Sequence, residues 1–308
     1  VGAIVGPTAV GKSAVALAVA RALEAEIVSI DSMQIYRGMD IGTDKPSPEA
    51  RREVPHHLVD VVNPSHDLTV AEFQARGRQA IGEVIERGRL SLLVGGSGLY
   101  FRAVVDDLEF PPRARAVRGA LEAEAVSEGG AARLHSRLAR LDPEAAARIG
   151  RANTRRVIRA LEIIELTGGP VGDYRPWRRF ESIYELTVAG LTRPRADLYR
   201  RIEERVERML EAGLEDEAGR LAAAPLGSPA RQALGYRQVL ESPAAGRPEL
   251  REAIVRATKR FARRQESWFR GDPRVVWFDA SEPGVEARVA EFISAAAARP
   301  REGGRLNA

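Results

Sequence analysis

An α/β fold is what the sequence predicts: a parallel sheet of the phosphate-loop type, flanked by helices and interrupted by an all-helical insertion. Three observations carry it. Apolar runs of strand length alternate with amphipathic runs of helix length through the first third of the chain, the pattern of a doubly wound sheet. The first strand-to-helix junction holds Gly6-Pro7-Thr8-Ala9-Val10-Gly11-Lys12-Ser13, a complete Walker A loop in the context such a loop requires. From Arg113 to Thr167 the alternation gives way to a helical pattern rich in alanine, arginine and glutamate. The expected division is a core of residues 1–112 and 183–308 and an insertion of 113–182.

Val1 to Val5 reads as a buried strand, and Ser13 to Leu23 as an alanine-rich helix whose N-terminus faces the loop. Glycines in such a loop let backbone N–H groups turn onto phosphate oxygens, while Lys12 adds a point charge and Ser13 offers a hydroxyl to magnesium. A pyrophosphate-bearing ligand follows, and the loop alone does not say whether it is a nucleotide. Glu26 to Ile30 is the second strand and runs into Asp31-Ser32-Met33-Gln34. A carboxylate leaving a strand's C-terminal end beside a phosphate loop stands where doubly wound sheets hold functional groups. Asp31 reads also as an N-cap or Asx turn. Gly38 to Pro55 has loop composition. His57 to Val62 is expected as the third strand, and Thr69 to Arg87 as a helix opened by a Thr69–Glu72 capping box. His56, His57 and His66 lack metal spacing and are read as structural or orienting.

Leu90 to Val94, the fourth strand, ends on Gly95-Gly96-Ser97, which delivers the Ser97 hydroxyl to the same rim as Asp31 and the loop. Ser97 fits equally the N-cap of the next helix. Breaks at Gly129-Gly130, Asp142-Pro143 and Gly150 divide the insertion. Its last helix keeps Val157, Ile158, Leu161 and Ile164 on one face and leaves Arg155, Arg156 and Arg159 to phosphates or to solvent. Gly168 to Phe180 reads as a loop containing Tyr174 and Trp177. Tyr184 to Leu191 returns to strand alternation, and Leu198 to Leu210 is an amphipathic helix carrying Arg201, within reach of a phosphate or of Glu204. In Leu250 to Arg270 a helical projection puts Ile254, Phe261 and Trp268 on one stripe and Arg256, Lys259, Arg263 and Arg270 opposite, a packing face and a cationic one. Arg274 to Asp279 is the last strand, Val285 to Ala298 the closing helix, and Arg299 to Ala308 a frayed end.

Composition narrows the function classes. The chain of 308 residues has no cysteine, which excludes disulfides, thiolate metal sites and cysteine nucleophiles and suits a reducing compartment. No apolar run is long enough to span a membrane and no basic leader precedes the first strand, so a cytoplasmic protein without membrane contact is expected. Net charge is only +4, yet Arg113 to Arg159 holds eleven arginines against five acids, and Arg251 to Arg270 seven basic residues against two. Such segregation suggests a polyanion on part of the surface.

Taken together, GPTAVGKS, DSMQIYRGMDIGTDKP, PHHLVD, LLVGGSGLY, RRVIRALEI, QALGYR and RRQESWFR resemble, in order and spacing and over nearly the whole chain, the bacterial tRNA dimethylallyltransferase family. The resemblance implies transfer of a dimethylallyl group from dimethylallyl diphosphate to the exocyclic amine of the adenosine 3′ of the anticodon, in tRNAs reading codons that begin with U. It implies a diphosphate held by Gly6 to Ser13 and Arg201, with Mg2+ on Ser13, Asp31 as the base and Ser97 orienting donor or base. It implies tRNA contact, through the anticodon arm, at Asp31, Ser32, Met33, Gln34, Arg118, Arg155, Arg156, Arg159, Gln232, Gly235, Tyr236, Arg237, Arg263, Arg264, Gln265, Trp268 and Arg270. The family usually has threonine where this chain has Ser97, which keeps the hydroxyl and loses a rotamer-restricting methyl. A monomer is expected. A P-loop small-molecule or nucleotide kinase shares the loop and sheet, and a non-catalytic RNA-binding regulator would share the basic segments.

Overall fold

The sheet forms because its strands are apolar on both faces, which only a layer covered by helices on each side can bury. The computed structural model describes residues 1–111, 113–171 and 179–297; Tyr174, Trp177 and the 299–308 end lie outside them. β1 (Gly2–Val5) leads into α1 (Lys12–Ala22), β2 (Glu26–Ser29), α2 (Pro48–Glu53), β3 (His56–His57), α3 (Val70–Glu86), β4 (Ser91–Gly95) and α4 (Gly98–Val105). Four helices follow: α5 (Arg115–Val126), α6 (Gly130–Leu141), α7 (Pro143–Arg148) and α8 (Thr154–Thr167). The chain then continues through β5 (Thr187–Thr192), α9 (Arg195–Glu211), α10 (Leu214–Ala222), α11 (Ser228–Arg231), α12 (Tyr236–Glu241), α13 (Arg247–Arg270), β6 (Val275–Asp279) and α14 (Val285–Ala297).

The six strands lie in the order β3-β2-β4-β1-β5-β6, and every pairing is parallel. Alternate residues serve opposite faces. Ala3, Val5, Val28 and Leu93 pack with Phe73, Phe101, Val206 and Phe269 on one side, while Ile4, Ile27 and Leu92 pack with Val15, Val19, Val289 and Ile293 on the other. With β1 beside β4 and β4 beside β2, the segments that follow these three strands leave the sheet as neighbours.

The third strand is shorter than the expected His57 to Val62. Leu58 and Asp60 take φ of 63° and 58°, a left-handed conformation that no strand sustains in an L-residue, and only the isolated bridge of Tyr36 with Val62 restores pairing. The supposed loop of Gly38 to Pro55 contains α2, opened by Ser47, whose side chain accepts from Ala50 N at 3.2 Å, with Pro48 in the first turn. That Ser-Pro-Glu start is a helix signal. Thr69 and Glu72 close both halves of the capping box. The histidines bond to structure: His57 Nε2 to Glu26 Oε2 at 2.7 Å, His56 Nδ1 to the Val54 carbonyl oxygen at 2.7 Å, His66 Nε2 to Glu72 Oε1 at 3.0 Å.

The chain divides into two units, residues 1–106 with 180–308, and residues 107–179. The smaller has its own core of Leu121, Leu134, Leu138, Val157, Ile158 and Leu161. Asp142 and Asn153 cap its last two helices. No helix among the described residues is long and apolar enough to cross a membrane.

Candidate active site

The Gly6–Ser13 loop folds as its residue types demand. Gly6 has φ of 144° and a Cβ there would meet the Leu191 carbonyl oxygen at 2.6 Å, so only glycine lets the loop cross β5 so closely. Ala9 is left-handed at φ 64°. Gly11 caps α1 without a side-chain acceptor, which leaves the first N–H groups of the helix free for an anion. Lys12 Nζ donates to the Pro7 carbonyl at 2.8 Å. Burial holds its ammonium down to about 8; Asp31 pulls it back up, Arg205 pushes it down and Asp44 opposes Arg205.

Thr8, Lys12 and Ser13 line a cavity of about 320 Å3 together with Asp31 to Gln34, Ser97 and Gln232 to Gly235. Asp31 Oδ1 accepts from Met33 N at 2.8 Å, the Asx-turn alternative, and the carboxylate still faces the cavity. Ser97 stands at the N-cap of α4 but makes no capping bond. Its hydroxyl lies instead 3.3 Å from Ser32 Oγ and 3.4 Å from Ser32 N, which ties the β4 and β2 exits together. From α9 and α13 the cavity is lined by the apolar Val206, Met209, Ile254 and Phe261 beside the polar Arg205, Thr258, Arg264 and Gln265.

Several expected contacts are placed differently. Arg201 does not line the cavity: its Nε donates to the Ala9 carbonyl at 2.9 Å, which braces the loop from outside. The cavity arginine is Arg205, one helical turn on, which donates to Thr8 Oγ1 at 2.9 Å and pairs with Asp44 at 3.3 Å. Its i+4 relation to Arg201 is the signal that could have found it. Gln34 lines the cavity but is committed, accepting from Ser29 Oγ at 2.8 Å and donating to the Thr43 and Asp44 carbonyls at 3.2 Å each. Gln265 lines the cavity but is buried and committed to protein partners. It accepts from Thr8 N at 2.8 Å and donates to the Gly96 carbonyl at 2.9 Å, clamping the phosphate loop to the turn that carries Ser97.

Tyr236 is likewise buried, its hydroxyl donating to Glu217 Oε1 at 2.5 Å and accepting from Gly42 N at 3.1 Å. Gly235 is left-handed at φ 88° and buried. The apolar stripe of α13 is rotated from the expected one: Ile254, Thr258, Gln265 and Phe269 are buried, while Trp268 is 44% exposed with its ring over Gly98, where a Cβ would fall 2.0 Å away. Arg263, Arg264 and Arg270 are exposed, as are Gln232, Arg155 and Arg156. Arg264 lines the cavity, and so does Arg237, whose buried Nε has no hydrogen-bond partner among the described residues. In the 107–179 unit, Arg118 and Arg159 turn inward to the fully buried Glu162, at 3.8 and 2.9 Å. A charge that deep needs partners, so these two are structural before they are RNA contacts.

The described residues hold no group of three or more histidine, aspartate or glutamate side chains able to form a metal cage. A hydrated Mg2+ shared with phosphates needs only one or two protein oxygens, and the Ser13 hydroxyl with the Asp31 and Asp44 carboxylates on the same cavity fits that donor set.

The IPP transferase family model matches residues 34–272, and the isopentenyl transferase model residues 1–58. A tRNA dimethylallyltransferase of Thermobifida fusca is 51% identical over 300 residues, covering 94% of this chain and 93% of that protein. The crystal structure of the full-length tRNA isopentenylpyrophosphate transferase from Bacillus halodurans is 42% identical, with a TM-score of 0.70 over 96% of this chain and 95% of that one. A eukaryotic dimethylallyltransferase acting on tRNA superposes with a TM-score of 0.80 over 99% of this chain and 81% of its own at 24% identity, a likeness of fold alone.

Proposed function

The chain belongs to the IPP transferase family, and from that premise we propose that it transfers a dimethylallyl group from dimethylallyl diphosphate to the exocyclic amine of the adenosine 3′ of the anticodon, in tRNAs reading codons that begin with U. The kinase alternative gives way to a tRNA prenyltransferase. One observation supports the choice of donor: the cavity brings the phosphate loop together with the apolar side chains Val206, Met209, Ile254 and Phe261, which suits a short allylic chain on a diphosphate.

In the reaction the bond between the allylic carbon and the diphosphate oxygen breaks and the bond from that carbon to the amine nitrogen forms. The leaving group is held by loop N–H groups, Lys12 and Arg205, donors fixed before reaction that meet charge as it develops. A bound Mg2+, seated at Ser13 and the phosphates, would supply further charge neutralisation. Asp31 takes the amine proton, and Ser97, held beside Ser32, orients donor or base. Arg237 and Arg264, both lining the cavity, support an acceptor arriving from the RNA side, with the adenine extruded from its stack to reach the amine. The same reading places a monomer in the cytoplasm with the tRNA anticodon arm as partner. Incubation with labelled dimethylallyl diphosphate, Mg2+ and unmodified tRNA should put label in the anticodon loop; absence of label there would refute the assignment.

A further inference from the structure

A second, smaller cavity of about 150 Å3 lies between the start of α9, the end of β5 and the last turns of α13. Its polar lining is almost wholly of donors. Arg193 and Arg270 are compensated by carboxylates, Asp197 at 2.7 Å and Glu266 at 2.8 Å. Arg195 and Arg263, both exposed, have no carboxylate partner among the described residues. The Tyr199 hydroxyl accepts from Arg263 Nη1 at 3.4 Å, which leaves its own proton to give, and Thr192 adds a second hydroxyl. Glu266 is the one lining carboxylate, and Arg270 already occupies it. α9 opens here after Pro194 with no side-chain cap, so its first N–H groups add to the positive field.

Two uncompensated guanidinium groups, two hydroxyl donors and a helix start around a space of this size describe a seat for one phosphate group. Its position says which kind. Arg263 lines this cleft, while the next residue of α13, Arg264, lines the donor cavity, so the two sites sit on adjoining faces of one helix, about 10–12 Å across. A polymer with regularly spaced phosphates can occupy both at once. We propose that this cleft seats one phosphodiester of the RNA strand whose adenosine enters the donor cavity. Arg263 and Arg270 thereby acquire a defined ligand, and Thr192, Arg195 and Tyr199 join the tRNA-contacting set. The proposal rests on the reading that tRNA is the substrate.

The test is tRNA binding by fluorescence anisotropy from 50 to 200 mM salt, a range over which affinity falls by about 10³–10⁵ at the usual slopes, on wild type, Arg195→Gln, Arg263→Gln, the double variant and Arg263→Lys. The double variant should reduce the salt slope by about 0.9, the equivalent of the one phosphate, and each single Gln variant by part of that, while Arg263→Lys keeps the slope. Pyrophosphate affinity of the donor cavity, which neither arginine lines, should stay within about twofold, the readout that excludes a general folding defect. An unchanged slope in the double variant overturns the proposal. Titration with inorganic phosphate separates the other source of the same chemistry: if the double variant loses phosphate binding but keeps the tRNA slope, the cleft holds a free anion and not RNA. A slope change in the variants together with wild-type protein that labels no tRNA would leave the cleft standing and remove the transfer reaction instead.

Discussion

At the scale of single residues, Lys12 sets a pH dependence that can be read out directly. In the free protein its ammonium titrates near 8, held there chiefly by burial, and a bound diphosphate must raise that value. Between the free and the bound values the complex holds a proton the free protein lacks, so binding takes up protons and affinity falls as pH rises above about 8, by at most about tenfold per unit. At lower pH the lysine is charged in both states and contributes no slope. Calorimetry of pyrophosphate binding in two buffers of different ionisation enthalpy should show this uptake in wild type and not in Lys12→Ala; equal uptake in both would remove Lys12 from the site. Asp31→Asn is the companion test. The amide oxygen can still accept from Met33 N, so the turn survives while the base is lost. Transfer should fall by about 10²–10⁴-fold with pyrophosphate affinity, measured without Mg2+, nearly unchanged, and a variant that transfers normally would end the base assignment. The loop, Asp31 and Ser97 were legible in the sequence because each closes a strand, and parallel strands deliver their ends to one edge. Arg205 and Gln265 were not. The i+4 step from Arg201 points to Arg205, but the partners, Thr8 N, Thr8 Oγ1 and the Gly96 carbonyl, come from chain segments far away in sequence, and no spacing rule pairs residues across that distance.

At the scale of elements, the segment Asp40 to Asp44 is the part of the site that helical periodicity could not foresee, and one buried carboxylate holds it. Glu217, on α10, accepts from Asp40 N at 3.2 Å, Ile41 N at 2.9 Å and Gly42 N at 3.4 Å, and from the Tyr236 hydroxyl. The segment then hands Asp44 to Arg205, and Arg205 to Thr8 of the phosphate loop. Glu217→Gln keeps the shape but turns an N–H donor toward donors, stranding several buried groups at about 1–3 kcal/mol each. We expect stability to drop by about 3 kcal/mol in urea with an unchanged m-value, and pyrophosphate affinity to weaken because Arg205 loses its anchor. A variant of wild-type stability would show that water replaces the carboxylate. Sequence named Tyr236 as an RNA contact because its motif is distinctive, yet burial makes it half of this clamp. The strands were readable from apolar runs alone; β3 was not, since nothing in the residues Leu58 and Asp60 announces a positive φ. The stripe of α13 was misjudged by rotation: Trp268 is large and apolar, but it covers Gly98 from the rim, and the polar Thr258 and Gln265 take the buried positions.

At the scale of the whole molecule, the insertion can be tested as a separable part. The chain leaves the sheet core at Asp106 and returns at Phe180, and the two points are already joined. Asp106 and Ser182 form a β-bridge, Ile183 N donates to the Val105 carbonyl at 2.9 Å, and Ser182 Oγ donates to the same carbonyl at 3.0 Å. Around them, Asp106 is buried between Arg102 at 2.6 Å and Arg274, and both guanidinium groups lie over the Phe180 ring, 4.4 and 5.4 Å from its centroid. These groups all belong to the larger unit, and the smaller one packs its own leucines and valines. Removing residues 107–179 and joining Asp106 to Phe180 through a short Gly-Ser turn therefore costs little loop-closure entropy and removes no residue that lines the donor cavity. The excised core should unfold cooperatively and bind pyrophosphate within about threefold of the intact protein. tRNA binding should behave oppositely, because the arginine-rich segment from Arg113 to Arg159 leaves with the insertion: affinity should fall and the salt slope shrink by several phosphate equivalents, each worth about 0.9. A core that loses pyrophosphate binding as well would mean that the insertion organises the phosphate loop. An unchanged salt slope would mean that its arginines, like Arg118 and Arg159 at Glu162, serve only to hold the helices together.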